Sequence, residues 1–164
     1  ALIDGIQPRI LGLKEILAEF IKHRQKVIRR RTEFDLKKAK ERAHILEGLK
    51  IALDNIDEVI KVIRASYDDA DKQLMTRFGL SEIQANAILD MRLQRLTNLE
   101  IVALRKEYEE ILKLIDKLEG ILGSEKKLLN VIKKELQEIA DEYADERRTT
   151  IEAAEELGLG RSDI

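Results

Sequence analysis

The sequence has no cysteine, no tryptophan, one proline, three phenylalanines and three tyrosines in 164 residues. Without cysteine there is no disulfide and no thiolate metal site, which fits a reducing compartment. So few aromatics argue against a compact, aromatic-filled core, and with one proline and eight glycines the chain has few helix breakers. No apolar run approaches the ~18 residues of a membrane span, and no signal-peptide pattern is present. The sequence therefore predicts a soluble, cytoplasmic protein without a membrane partner. Charge of one sign is missing too: 30 Lys plus Arg against 32 Asp plus Glu leave a net charge of -2. That gives no global pull toward nucleic acid, so any electrostatic function is local. The first residue is Ala1 rather than Met, which predicts a piece of something larger.

What is present is helical periodicity. From Leu13 to about Arg64 there is no proline and only Gly48; one helix of that extent would measure ~78 Å. Its second half carries Ile45, Leu49, Ala52, Ile56, Val59 and Ile63 at alternating spacings of four and three, widened by Leu46, Leu53 and Ile60, so it faces several neighbours. Between Lys22 and Arg42 the seam thins to Val27, Ile28, Phe34 and Leu36. The run SYDDAD reads as a turn in which Asp68 or Asp69 opens a short helix ending near Phe78 and Gly79, and Ser81 starts another. Leu104, Tyr108, Ile111, Ile115, Leu118 and Leu122 give a further stripe, resumed in phase by Leu129, Ile132, Leu136, Ile139 and Tyr143; Gly120, Gly123 and Ser124 predict a bend between them. The expected fold is all-α, a long antiparallel coiled coil capped by a small helical globular tip. Its parts are a lead-in at 1–12, an outgoing arm at 13–44, the tip at 45–122, a returning arm at 123–146 and an exit segment with tail at 147–164.

Local charge predicts the pairing of the arms. Residues 22–42 carry ten basic and three acidic side chains, a balance of +7, whereas 125–146 carry four and seven, a balance of -3. Opposite signs on two thin-seamed helices select an antiparallel partner, with Lys38 expected near Lys133.

Catalytic chemistry is sparse. His23 and His44 lie about 31 Å apart by helical rise, so they cannot share a metal. A calcium loop starting at Asp69 has Leu74 and Leu80 where Gly and Glu are required. The GLG near the C-terminus follows no strand and opens no helix, so it is not a phosphate loop. Arg29, Arg30 and Arg31 spread over ~200° of helix surface, which favours a solvated flank over a dedicated DNA clamp. No nucleophile, base and acid assemble.

The strings IRRRTEFDLKKAKERAHILEGL (28–49), ALDNIDEVI (52–60), LSEIQANAILDMRLQRLTNLE (80–100), ILGSEKK (121–127) and DERRTTI (145–151) closely resemble the coiled-coil segment of the A subunits of DNA gyrase, a bacterial type IIA topoisomerase family. The likeness covers roughly Leu2 to Glu156, and topoisomerase IV shares the scheme more loosely. Asn98 stands where that family usually has Gly, which predicts a left-handed turn there, and the tail GLGRSDI matches nothing in the pattern. The resemblance implies a part that does no chemistry: the DNA-cleaving tyrosine, the Mg²⁺ site and the ATP site lie in other segments of the A and B subunits, so no cofactor is expected here. It implies paired arms below the DNA gate, joined at their tips into a homodimer that forms the exit gate of an ATP-dependent supercoiling cycle, with transient, non-specific DNA contact from Arg29, Arg30 and Lys37.

One helix fits the joint. Wound at 100° per residue, Ala85, Ile88, Leu89, Leu93 and Leu96 share one face of residues 81–100, and Ile83, Ala87 and Met91 lie on another, bordered by Asp90 and Gln94. The first face is expected on the tip's own core and the second on a twin chain. A coiled-coil rod unrelated to topoisomerases remains the alternative, but a rod has no need of a two-faced helix between its arms.

Overall fold

The computed structural model describes residues 1–91 and 96–153. Helix α1 (Leu13–Asp54) is 42 residues long and stops where Asn55 turns its side-chain amide onto the carbonyl of Ile51 at 2.9 Å, a local bond that competes with helix continuation. The chain resumes as α2 (Ile56–Ala65), so the outgoing run is two helices. Helix α3 (Ala70–Phe78) has Asp69 as N-cap and ends on Gly79 at φ 65°, a left-handed position that suits glycine. Helix α4 (Glu82–Asp90) opens with a capping box between Ser81 and Gln84. Helix α5 (Asn98–Gly123) opens with a second box, Thr97 with Glu100, and α6 (Glu125–Tyr143) starts from Ser124, whose hydroxyl accepts from the Lys127 amide. The expected bend is this single residue.

The start of the chain adds a hairpin, and two expectations about the helices are corrected. The lead-in forms a small hairpin, in which β1 (Leu2–Ile3) pairs antiparallel with β2 (Gln7–Pro8), and the reversal is made possible by positive φ at Asp4 and Gly5. Asn98 does not adopt a left-handed turn; it is the first residue of α5, because Thr97 supplies the cap. Helix α4 ends at Asp90 instead of running on toward Leu96. Met91 takes extended angles (φ −82°, ψ 114°) and so turns its side chain onto the tip core.

Among the described residues two cores share α1 as a common wall. The larger joins Leu46, Leu49 and Ala52 of α1 to Val59, Val62, Leu74, Leu80, Ala85 and Ile88. The smaller holds Ile28, fully buried, between Leu128 and Ile132 of α6. The arms run antiparallel, with ion pairs Arg24–Glu135 at 2.9 Å, Lys40–Glu119 at 2.8 Å and Arg105–Asp54 at 2.8 Å. Lys38 therefore sits opposite the end of α5, not opposite Lys133. The apolar seam sets this register, since exposed ion pairs contribute too little to override it.

Candidate functional site

The tip helix α4 has two faces of different character. Ala85 and Ile88 are fully buried in the tip core, whereas Ile83 is 62% exposed. Asp90 is exposed at the helix end, and Ala87 and Met91 are half-buried, each also touching the tip's own core. Gln94 and Leu93 lie outside the described residues. Near the start of α5, Leu99 and Val102 add further exposed apolar surface. A face that combines Ile83, part of Ala87 and part of Met91 is small and apolar, with one carboxylate at its edge. It suits contact with another apolar surface and has no group for chemistry.

Along α1 the basic residues divide into engaged and free. Arg24 and Arg31 both grip Glu135, Lys26 reaches Asp4 of the hairpin turn at 3.3 Å, and Lys40 and Arg42 pair with Glu119 and Glu107. Lys38 lies 4.6 Å over the Phe34 ring. Among the described residues, Arg29, Arg30 and Lys37 have no ion-pair partner and are exposed. At 100° per residue they fall within about 100° of one another on the helix surface. The Arg42–Glu107 contact is two-pronged, at 2.8 and 3.2 Å; hydrogen bonding from the guanidinium, aided by its charge, holds the Glu107 carboxyl below the usual range. Among the described residues no three His, Cys, Asp or Glu side chains group as a metal site, and no helix is long and apolar enough to cross a membrane.

Sequence reasoning missed the joint that seats α4. Gln84, buried despite its amide, accepts from the Ser81 backbone N–H at 3.0 Å through Oε1 and donates to the His44 carbonyl at 2.7 Å through Nε2. The His44 ring places Nε2 2.7 Å from Ser81 Oγ and Nδ1 3.4 Å from Gln84 Nε2. Gly48 lies beneath: a Cβ there would stand 2.7 Å from both Cβ and Cγ of Gln84. A glycine at mid-helix beside a Ser-x-x-Gln box was the signal available for this close approach.

Comparison with known proteins supplies the family. The family of DNA gyrase/topoisomerase IV A subunits matches over residues 1–137. The chain is 57% identical over 157 residues to the gyrase A protein of Clostridium acetobutylicum, covering 94% of this chain and 19% of that protein. It is 54% identical over 167 residues to the gyrase A protein of Borreliella burgdorferi, covering 100% of the chain and 20% of the relative. With that of Deinococcus deserti it shares 53% over 164 residues, covering 99% and 20%. The chain thus spans about a fifth of the length of the curated relatives it matches. A match through most of the sequence, at identities above one half, means that this chain belongs to the family of DNA gyrase/topoisomerase IV A subunits.

Proposed function

We propose that this segment is the arm and exit-gate part of a gyrase A protein, taking part in ATP-dependent DNA supercoiling by holding shut, and then opening, the passage through which a transported duplex leaves. On this reading residues 13–44 and 123–146 are the arms, residues 45–122 the dimerising tip. ATP, Mg²⁺ and the cleaving tyrosine belong to other parts of the A and B subunits. The observation that carries the reading is the unpartnered apolar face of α4 around Ile83, at the end of the molecule away from the arm termini. Two copies related by a two-fold axis make a self-complementary contact, and Ile83 contributes ~1.5–3 kcal/mol per chain if fully buried. The same architecture serves topoisomerase IV equally, since the matched family includes both.

The test is association. The native chain is expected to sediment as a dimer, and Ala87→Arg to sediment as a monomer of unchanged helicity, because Arg is a good helix former. Ala87 also touches the tip core, so Ile83→Glu provides an independent arm; its side chain is mostly exposed and a carboxylate is favoured in a first helical turn. Unchanged dimer affinity in Ile83→Glu refutes the assignment of this face.

The free cations of α1 support a second element of the proposal, a passive lining for passing DNA. Arg29, Arg30 and Lys37 replaced together by Ala should weaken low-salt, sequence-independent DNA binding and lower the slope of log affinity against log salt by up to about 3. Salt-resistant or sequence-specific binding contradicts a passive channel.

A further inference from the structure

We propose that His44, Ser81 and Gln84 form a proton-sensitive latch that holds α4 on α1. The polarity of the latch is fixed by two backbone groups. The Ser81 N–H can only donate, so the Gln84 atom 3.0 Å from it is the carbonyl oxygen. The His44 carbonyl can only accept, so the Gln84 atom 2.7 Å from it is the amide nitrogen. That NH₂ group also faces His44 Nδ1 at 3.4 Å, so Nδ1 must present its lone pair and the ring proton sits on Nε2. The Nε2–H then donates to Ser81 Oγ at 2.7 Å, and the same oxygen accepts from the Gln84 N–H at 3.3 Å. Only a neutral imidazole in one tautomer satisfies the arrangement. Protonation sets an N–H on Nδ1 against the NH₂ of Gln84, donor against donor, while Gln84 has no freedom to flip without losing both backbone bonds.

The elements that meet at the latch carry charged residues of both signs. On α1, Glu41 and Glu47 lie one turn to either side, and Lys40 on the same helix is already engaged by Glu119. On α4, Glu82 follows Ser81, and on α5, Glu107 is occupied by Arg42. Acid thus sets donor against donor at the Nδ1–Gln84 contact of the latch. Because α4 carries Ile83 and Ala87, loosening it disturbs the face assigned above to the gate; that consequence rests on the gate reading, while the latch itself does not.

The experiment is amide hydrogen exchange of the whole chain, corrected for intrinsic rates, between about pH 7.5 and about pH 5.5. Recording it at high and low protein concentration separates protection by association from protection by the latch. The native chain should lose roughly tenfold protection in α4 on acidification, the equivalent of about one hydrogen bond, with α6 unchanged. His44→Gln, which cannot titrate, should show no such pH dependence. Gln84→Glu keeps the capping box but sets a carboxylate oxygen against both the His44 carbonyl and the Nδ1 lone pair, so α4 should be poorly protected at the higher pH and regain protection at the lower, where an Nδ1–H can donate to the carboxylate. A native α4 indifferent to pH, or a pH dependence retained in His44→Gln or unreversed in Gln84→Glu, overturns the latch. Failure of the gate reading shows instead in the sedimentation of Ile83→Glu, which this measurement does not use.

Discussion

Gly48→Ala sets two opposed effects against each other, and their magnitudes decide the sign. In an exposed helix the substitution stabilises by about 0.8–1.0 kcal/mol, because alanine restricts the unfolded chain and suits the helix. Here the new methyl would sit 2.7 Å from Cβ and Cγ of Gln84. Those atoms are the root of a side chain whose far end is held by the Ser81 N–H and the His44 carbonyl, so relief has to come from the backbone of α4. Overpacking of this kind costs about 1–3 kcal/mol, and displacing Gln84 leaves buried polar groups short of partners at roughly 1–3 kcal/mol each. The expected net result is a loss of about 1–3 kcal/mol. Urea unfolding followed by circular dichroism reads it as a lower midpoint. Gly123→Ala serves as the internal control: a Cβ at Gly123 meets nothing within 4 Å, so that variant should be neutral or more stable. A Gly48→Ala protein as stable as its Gly123→Ala counterpart would refute the seating of α4 on Gly48.

Further outcomes follow from the same contacts. Ile28→Ala removes the centre of the three-residue arm core and should cost about 2–5 kcal/mol, with exchange protection lost in α6 and retained in α4; equal loss in both would mean that the two cores unfold as one. Glu107, its carboxyl held low by Arg42, contributes stability that is present above the unfolded carboxylate value of about 4.3 and is lost as pH falls through the lower folded value. The pair is partly exposed, so the contribution is a few tenths of a kcal/mol. Glu107→Gln should remove that small acid-dependent component from urea midpoints measured across the range, and an unchanged pH profile argues against the pairing.

Much of this was legible in the sequence because periodicity reports burial. Ile45, Leu49, Ala52 and Val59 mark the wide stripe that becomes the tip core, and Asp69, Gly79 and Ser124 announce helix ends by capping chemistry that is local in the chain. The antiparallel direction also followed from charge. Register did not: Ile28 between Leu128 and Ile132 fixes it, and the charges of Lys38 and Lys133 carry no information about which apolar residues interlock. The break at Asn55 was hidden because hydrophobic spacing continues across it, while a side-chain bond to Ile51 decides the outcome. Ile83 stood out through its helical phase alone. The Gln84 joint did not, because a buried amide looks like a surface residue until the element facing it is known.

Mechanically, the two paths between the cores are unequal. Outward, α1 is one unbroken beam from below Ile28 to Leu49; homeward, α5 and α6 form a two-piece tie joined at Ser124. A beam of stacked hydrogen bonds resists bending, so the unbroken α1 braces the level at which the return path is jointed. Gly123 has no neighbour within 4 Å for an added Cβ to bear on, and Gly120 has chiefly the movable tip of Lys127. The molecule therefore has a continuous side and a jointed side, and any bending at the elbow of Ser124 has to be shared by the helix that runs unbroken beside it.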